Sequence, residues 1–153
     1  MIILSAHLDL LEGLVQASRR PKVLILDDDP MHLEIYSLLM KQAGYEALPT
    51  LVRFVGTEIP RGERIGLVLL DYRLNSTKTS PEFASEIRSL YPAVPIIVLS
   101  DLWSLPTDIA PLVNGFVRKG EPAKLLEIVS QFFVAPSEHP SGADDNQQHS
   151  NNL

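Results

Sequence analysis

The chain has 153 residues, 45% of them hydrophobic, a formal net charge of −6 and no cysteine. That length gives room for one domain of ordinary size with tails, and no second output domain fits. The lack of cysteine excludes disulfides, thiolate catalysis and zinc ribbons and is compatible with a reducing cytoplasm, while the acidic balance offers no basic footprint for direct nucleic-acid binding.

Residues 1–20 carry Leu4, Leu8, Leu11 and Val15 at helical spacing, which predicts a short amphipathic helix weakened by Gly13. The stretch contains Asp9 and Glu12, lacks a basic start and falls short of a membrane span, so an intracellular, cytoplasmic chain with no membrane contact is expected. Three fates of its leucine seam stay open: packing on the domain that follows, pairing two chains into a homodimer, or translation from a start codon placed too far upstream. Pro21 then opens a domain expected over residues 21–134.

Within it, Val23–Leu26 reads as a first strand and Met31–Ala43 as a helix with Ile35, Leu38 and Leu39 on one face and Gly44 at its end. A short second strand is expected near Tyr45–Leu48, a weak helix around Leu51–Glu58, turns at Pro60 and Gly62, and a third strand over Ile65–Leu70. Ser80, followed by Pro81 and Glu82, reads as the N-cap of a helix running to about Leu90. Pro95–Leu99 and Gly115–Arg118 supply two more strands, with a last helix over Pro122–Phe133. Residues 135–153 are polar, with little to bury, and are expected to be a disordered tail. Five βα repeats imply a parallel sheet with helices on both faces, a doubly wound α/β sandwich.

The chemistry sits at two strand ends. Val23–Pro30 (VLILDDDP) ends in three carboxylates, and Leu67–Leu74 (LVLLDYRL) has one aspartate directly after four aliphatic residues. Parallel strands deliver both sets to the carboxyl edge of one sheet, where open α/β sheets bind ligands. Carboxylates gathered there repel one another unless a cation intervenes, and an all-oxygen site suits Mg²⁺. Each motif also has an ordinary reading. Asp29-Pro30 is good helix-capping chemistry, Asp27 and Asp28 taken alone are as well read as turn formers, and Ser100, Lys119 and Phe116 taken alone are ordinary surface or core residues. His7, His32, His139 and His149 show no metal-ligand spacing and receive no role.

Four motifs in order resemble the receiver domains of two-component response regulators over about residues 22–133. They are the acid pair after strand one, the lone Asp71 after strand three, Ser100 after strand four in PIIVLSD, and Lys119 after strand five in NGFVRKGEP. The resemblance implies a flavodoxin-like (βα)5 fold with strand order 2-1-3-4-5. It implies that Asp71 is a phosphoacceptor loaded by a sensor histidine kinase or phosphotransfer protein, with Mg²⁺ as cofactor. Asp27, Asp28, Asp71 and the backbone carbonyl of Arg73 would hold the metal. Lys119 and Ser100 would contact the phosphoryl group, and Phe116 would stand as the switch aromatic whose rotamer alters contacts with a downstream protein. Output would be a change in protein contacts, without turnover of a small substrate. A phosphorylation-independent interaction module is the alternative. Asp27-Asp28-Asp29 also superficially resembles the DxD motif of haloacid-dehalogenase-type phosphatases, but Met31 stands where Thr or Val would follow, no cap domain fits, and no later paired-aspartate motif appears in the folded region.

Departures from the receiver pattern are also visible. Asp101 follows Ser100 where a small residue is usual, Pro106 and Pro111 interrupt the expected fourth helix, Gly120 replaces a common proline, and the loop after Asp71 carries NSTKTS without the usual glycine.

Overall fold

A strand that is apolar on both faces must be covered on both, and the sequence contains three such strands. In the computed structural model, which describes residues 2–19 and 21–133, they are β1 (Lys22–Asp27), β3 (Ile65–Asp71) and β4 (Ile96–Ser100). Every residue of β4 is buried, as are Val23–Asp27 of β1 and Leu67–Asp71 of β3. They form the centre of one parallel sheet, flanked by β2 (Glu46–Leu51) and β5 (Gly115–Arg118), in the order β2-β1-β3-β4-β5. This is the doubly wound, flavodoxin-like arrangement that the resemblance implies.

Alternation along the strands builds two cores. Val23, Ile25, Leu67, Leu69, Ile97 and Leu99 pack under α2 (Pro30–Gln42) and α4 (Pro122–Phe132) through Leu33, Met40, Leu125 and Val129. Leu24, Leu26, Val68, Leu70, Ile96 and Val98 face the other way, onto Phe83, Ala84 and Ile87 of α3 (Ser80–Leu90). Helix α1 (Ile2–Arg19) precedes the sheet, and Leu8, Leu11 and Val15 of its seam are exposed. The polar tail expected over residues 135–153 lies outside the described residues.

Several elements differ from the sequence-based expectation. No helix forms over Leu51–Glu58. Strand β2 instead runs on to Leu51, the Val52 N–H donates to the Asp27 carbonyl at 2.8 Å, and Thr57 Oγ1 receives the Arg53 N–H at 2.7 Å. The apolar residues of this segment, Val52 and Ile59, are buried as separate plugs in the α3-side core. A seven-residue spacing joined by Gly56 and β-branched residues satisfies that burial in an extended loop more readily than in a helix with poor propensity. Strand β2 also tolerates Pro49, paired with Ile25, because an edge strand can do without one N–H.

The N-cap of α3 is Thr79, one residue earlier than Ser80. Thr79 Oγ1 and the Glu82 carboxylate form a reciprocal capping box. Ser80 is instead the first helical residue, buried, with its hydroxyl donating to the Asp71 carbonyl at 3.1 Å.

The connection from β4 to β5 holds one 3-10 turn, Ala110–Leu112, in place of a fourth helix, in line with the interruption expected from Pro106 and Pro111. With no helix to satisfy its own backbone, this connection leans on Arg88 of α3. The guanidinium donates to the carbonyls of Leu112 (3.0 Å) and Val94 (2.5 Å) and to the side-chain oxygen of Asn114, which also receives the Ile96 N–H. Charge-assisted bonds of this kind contribute about 1.5–3 kcal/mol each when their acceptors would otherwise be stranded. Arg88→Ala is therefore expected to lower the unfolding free energy by about 2–4 kcal/mol, and Arg88→Lys by less, because an ammonium cannot span three acceptors. Urea titration checks this: the midpoint falls while the slope is retained.

Candidate functional site

Register decides which side chains meet at the carboxyl edge. Asp71 pairs with Leu99 across β3 and β4, and Ser100 pairs with Arg118 across β4 and β5, so Asp71, Ser100 and Lys119 leave adjacent strands at one level. The Lys119 N–H donates to the Ser100 carbonyl (2.8 Å) and the Tyr72 N–H to the Leu99 carbonyl (2.9 Å), fixing the loops that follow. On the other side of β3, Asp27 closes β1. Gly120, at φ +84°, turns the chain sharply after Lys119 into a conformation closed to proline, so this loop has its own geometry.

The result is a cluster in which carboxylate oxygens of Asp27, Asp28 and Asp71 all lie within 4.8 Å of one another. Asp27 and Asp71 are almost fully buried. Asp27 Oδ1 accepts the Asp29 N–H at 2.9 Å, and Asp28 Oδ2 accepts the Asn75 N–H at 3.0 Å, which ties the NSTKTS loop to the site. Asp29 itself caps α2, accepting the Met31 N–H at 2.8 Å. The nearest cation is Lys119, whose Nζ lies 2.8 Å from Asp71 Oδ1. One ammonium among three carboxylates leaves a net negative site, and such an all-oxygen set can hold a divalent cation.

The electrostatic cost is legible in the titration of these groups. Burial pushes the Asp71 carboxyl up to about 6, against the pull of Lys119 and with a further push from Asp27. Asp27 is likewise raised, first by burial, although the Asp29 N–H, Lys119 and His32 oppose it. Burial pulls the Lys119 ammonium down, but hydrogen bonding and attraction to Asp71, with Asp27 behind it, outweigh that and raise it overall.

Of the residues singled out from sequence, Asp27, Asp28, Asp71 and Lys119 are thus brought together. Ser100 is buried on the strand next to Asp71. Its Oγ accepts the Leu102 N–H at 3.2 Å, which leaves its own O–H available as a donor. Arg73 lies two residues beyond Asp71, where its backbone N–H helps hold the Asp71 charge, while its guanidinium Nε reaches Asp101 Oδ1 at 3.3 Å. Phe116 is not part of the carboxylate cluster. It pairs with Val98 on β4 and packs, partly buried, against the α3-side core.

Sequence reasoning missed two neighbours. His32 received no role, yet its Nδ1 lies 3.2 Å from Asp27 Oδ2 and its Nε2 3.6 Å from Asp29 Oδ2. The signal was present: a residue three positions after a helix N-cap returns to the end of the strand that precedes it. Arg118 stacks on the ring of Trp103, 3.8 Å from guanidinium carbon to centroid, leaving Trp103 83% exposed. That contact spans fifteen positions of an irregular loop, and no periodicity announces it.

Two clefts flank the cluster, one of about 450 Å³ beside Asp28, Arg73 and Asn75, the other of about 320 Å³ beside His32, Tyr36 and Lys119. A groove of about 940 Å³ lies between α2 and β2 and reaches Pro30 and Leu51 at the carboxyl edge of the sheet. Among the described residues, no helix is long and apolar enough to cross a membrane.

No family model matches the chain. The chain is similar to the transcriptional regulatory protein GlrR of Escherichia coli (strain K12), 29% identical over 93 residues, which is 61% of this chain and 21% of that protein. It thus spans about a fifth of the curated relatives it matches. Among solved structures, a response regulator receiver protein from Pseudomonas putida is 26% identical with a TM-score of 0.58, covering 73% of this chain and 97% of that one. The Thermotoga maritima response regulator protein TrrA, solved in complex with Mg²⁺-BeF, has 22% identity and a TM-score of 0.61 over 74% of this chain and all of its own (100%). The chain therefore has the fold of the CheY-like response-regulator receiver domains and is similar to them in sequence.

Proposed function

We propose that this chain carries a cytoplasmic receiver domain that accepts a phosphoryl group on Asp71 from a sensor histidine kinase or phosphotransfer protein and signals by changing its contacts with a downstream protein. The observation that carries this reading is the convergence of Asp27, Asp28 and Asp71 within 4.8 Å at the carboxyl edge, with Lys119 Nζ 2.8 Å from Asp71. The donor set fits Mg²⁺. All of it is oxygen, and the buried Asp27 Oδ2 makes no hydrogen bond, although His32 Nδ1 lies 3.2 Å away. Asp27, Asp28, Asp71 and the Arg73 backbone carbonyl are the groups assigned to hold the ion. When bound, it neutralises the carboxylates and the incoming phosphoryl charge.

The remaining chemistry belongs to the protein. A carboxylate oxygen of Asp71 attacks phosphorus, the phosphorus–nitrogen bond of the donor phosphohistidine breaks, and its electron pair stays on the imidazole nitrogen, which takes up a proton. Lys119 moves its ion pair from the carboxylate to the new phosphoryl group, and Ser100 donates its free O–H to a phosphoryl oxygen. The withdrawal of Lys119 and Ser100 toward phosphate couples the site to β4 and β5, where Phe116 is the switch aromatic. A phosphorylation-independent module is the second reading, favoured by one observation: Asp101, the residue that follows Ser100, places a carboxylate at the rim of the site, ion-paired with Arg73 at 3.3 Å.

Incubation with a small phosphoramidate donor separates the two. The expected outcome is one added phosphoryl group, by intact mass, that requires Mg²⁺ and is absent in Asp71→Asn. Lys119→Ala is expected to slow loading by about 10²-fold, the usual cost of one charge-stabilising donor. An unmodified mass under all conditions establishes the second reading.

Stability provides an independent check. Folding raises the Asp71 pKa from 3.8 to about 6, so the native state holds that proton more tightly than the unfolded chain. The contribution of this group is full below about pH 4 and is lost as pH rises through 6. Two pKa units correspond to about 3 kcal/mol, an upper bound for the destabilisation at pH 7 without metal. Asp71→Asn is expected to be more stable than the native sequence at pH 7 by up to that amount in chelator, and no more stable at pH 4. Added Mg²⁺ is expected to narrow the gap at pH 7. Thermal unfolding at the two pH values, with and without Mg²⁺, measures this.

A further inference from the structure

The segment that follows Ser100 has no helix to hold it. Among the described residues, 101–105 take part in no backbone-to-backbone hydrogen bond, and the first such bond within the β4–β5 connection is that of the Ala110 N–H to the Pro106 carbonyl, at 3.1 Å. Side chains hold it instead, and each reaches a residue within two positions of Asp71 or Lys119. Asp101 pairs with Arg73, Asp108 accepts the Tyr72 O–H at 3.1 Å, and Trp103 lies on Arg118. Trp103 is the one tryptophan of the chain and is 83% exposed, so burial in a core does not account for its place. The guanidinium carbon of Arg118 stands 3.8 Å from the centre of its ring. Arg118 Nε is buried and makes no hydrogen bond, and the π face supplies the negative potential that no acceptor supplies.

We propose that Trp103 and Arg118 are positioning residues: stacked, they hold Leu102 where its N–H orients the hydroxyl of Ser100. This rests on the receiver reading above, in which Ser100 donates to a phosphoryl oxygen. Arg118 is the fixed end, because it closes β5 and pairs with Ser100 across β4 and β5. Trp103 is anchored on it, and Leu102, the residue before Trp103, donates its N–H to Ser100 Oγ at 3.2 Å. The strand fixes the backbone of Ser100 but leaves its hydroxyl free to rotate. An N–H on one lone pair turns the O–H away from Leu102 and leaves it as a donor. Without the stack, residues 101–105 regain conformations that binding must then remove, and the Leu102 N–H spends less of its time on Ser100. The contact thus does through one side chain what backbone hydrogen bonds of a helix would do.

The test is calorimetric titration of the full chain with beryllofluoride, a phosphoryl mimic, in the presence of Mg²⁺. The native protein is expected to bind it and Asp71→Asn is not. Trp103→Ala is expected to bind about fivefold more weakly, the factor to which an exposed cation–π contact of about 1 kcal/mol corresponds. Trp103→Tyr, which keeps a π face, is expected to stay within about twofold of native. The urea midpoint of Trp103→Ala is expected to match that of the native chain, since the ring is exposed. In a Ser100→Ala background, Trp103→Ala is expected to cost nothing further, because its effect passes through the Ser100 hydroxyl. Native affinity in Trp103→Ala overturns the proposal, as does a loss that Trp103→Tyr shares, one that accompanies a lowered midpoint, or one that persists without the Ser100 hydroxyl. A native protein that fails to bind, or binds without Asp71, overturns the receiver reading and this proposal with it.

Discussion

Everything else in this structure is arranged around one electrostatic conflict: two carboxylates that are almost fully buried, Asp27 and Asp71, end neighbouring parallel strands and share a 4.8 Å neighbourhood with a third, Asp28. Neither acid can escape, because each is the last residue of an aliphatic strand held in register on both sides. Burial raises the carboxyl pKa and proximity raises it further, so the folded chain without a cation stores unfavourable energy at this edge. The protein relieves part of it with Lys119 and with backbone N–H groups from Asp29 and Asn75. A site that is overcharged and incompletely satisfied in its bare state gains most from a bound cation.

The rest of the fold keeps that edge rigid while economising on helices. In the β2–β3 connection, Val52 and Ile59 do the burying that a helix would do, and the Val52 N–H is tied to the carbonyl of Asp27 itself. In the β4–β5 connection, Arg88 replaces intrahelical hydrogen bonds with three side-chain donations. Both substitutions lie on the α3 side of the sheet, whereas the α2–α4 side keeps full helices over Met40, Leu125 and Val129. The two faces are therefore built differently: the helix-rich face by periodic packing, the other by a few anchored residues.

Elements with strong periodicity were legible in the sequence. The aliphatic runs at Val23, Leu67 and Ile96 admit few other readings, and the parallel arrangement then carries Asp27, Asp71 and Ser100 to one edge without further information. The N-cap of α2 was legible because Asp29-Pro30 is local chemistry. Where Thr79 and Ser80 stand side by side, either can cap, and the reciprocal bond from Glu82 decides for Thr79. The false helix at Leu51–Glu58 arose from a segment whose apolar residues are burial plugs seven apart, a spacing that mimics two helical turns. His32 has no metal-ligand spacing in the sequence, and its place three residues after the Asp29 N-cap is the local feature that returns it to the end of β1 beside Asp27.

The rim of the site shows how an unusual residue can alter access without abolishing chemistry. Since Asp71 is opposite Leu99, Arg73 and Asp101 leave β3 and β4 at matching levels, and their ion pair closes across the two loops. Both side chains are about 60% exposed, so solvent screening leaves the pair with a net strength of about 0–1 kcal/mol. A barrier of that size changes a rate by a factor of about five at most. The carboxylate of Asp101 opposes an incoming phosphoryl anion, but the guanidinium of Arg73 sits in the same pair and offers that anion a partner, so the two effects largely offset at the mouth. The controlling energies lie deeper, at the buried Asp27 and Asp71, where the local dielectric is low and neither charge is screened. A remodelled rim is thus compatible with the proposed phosphoryl transfer, and the burial of Asp71 beside Lys119 sets the electrostatics of the site more strongly than the residue that follows Ser100.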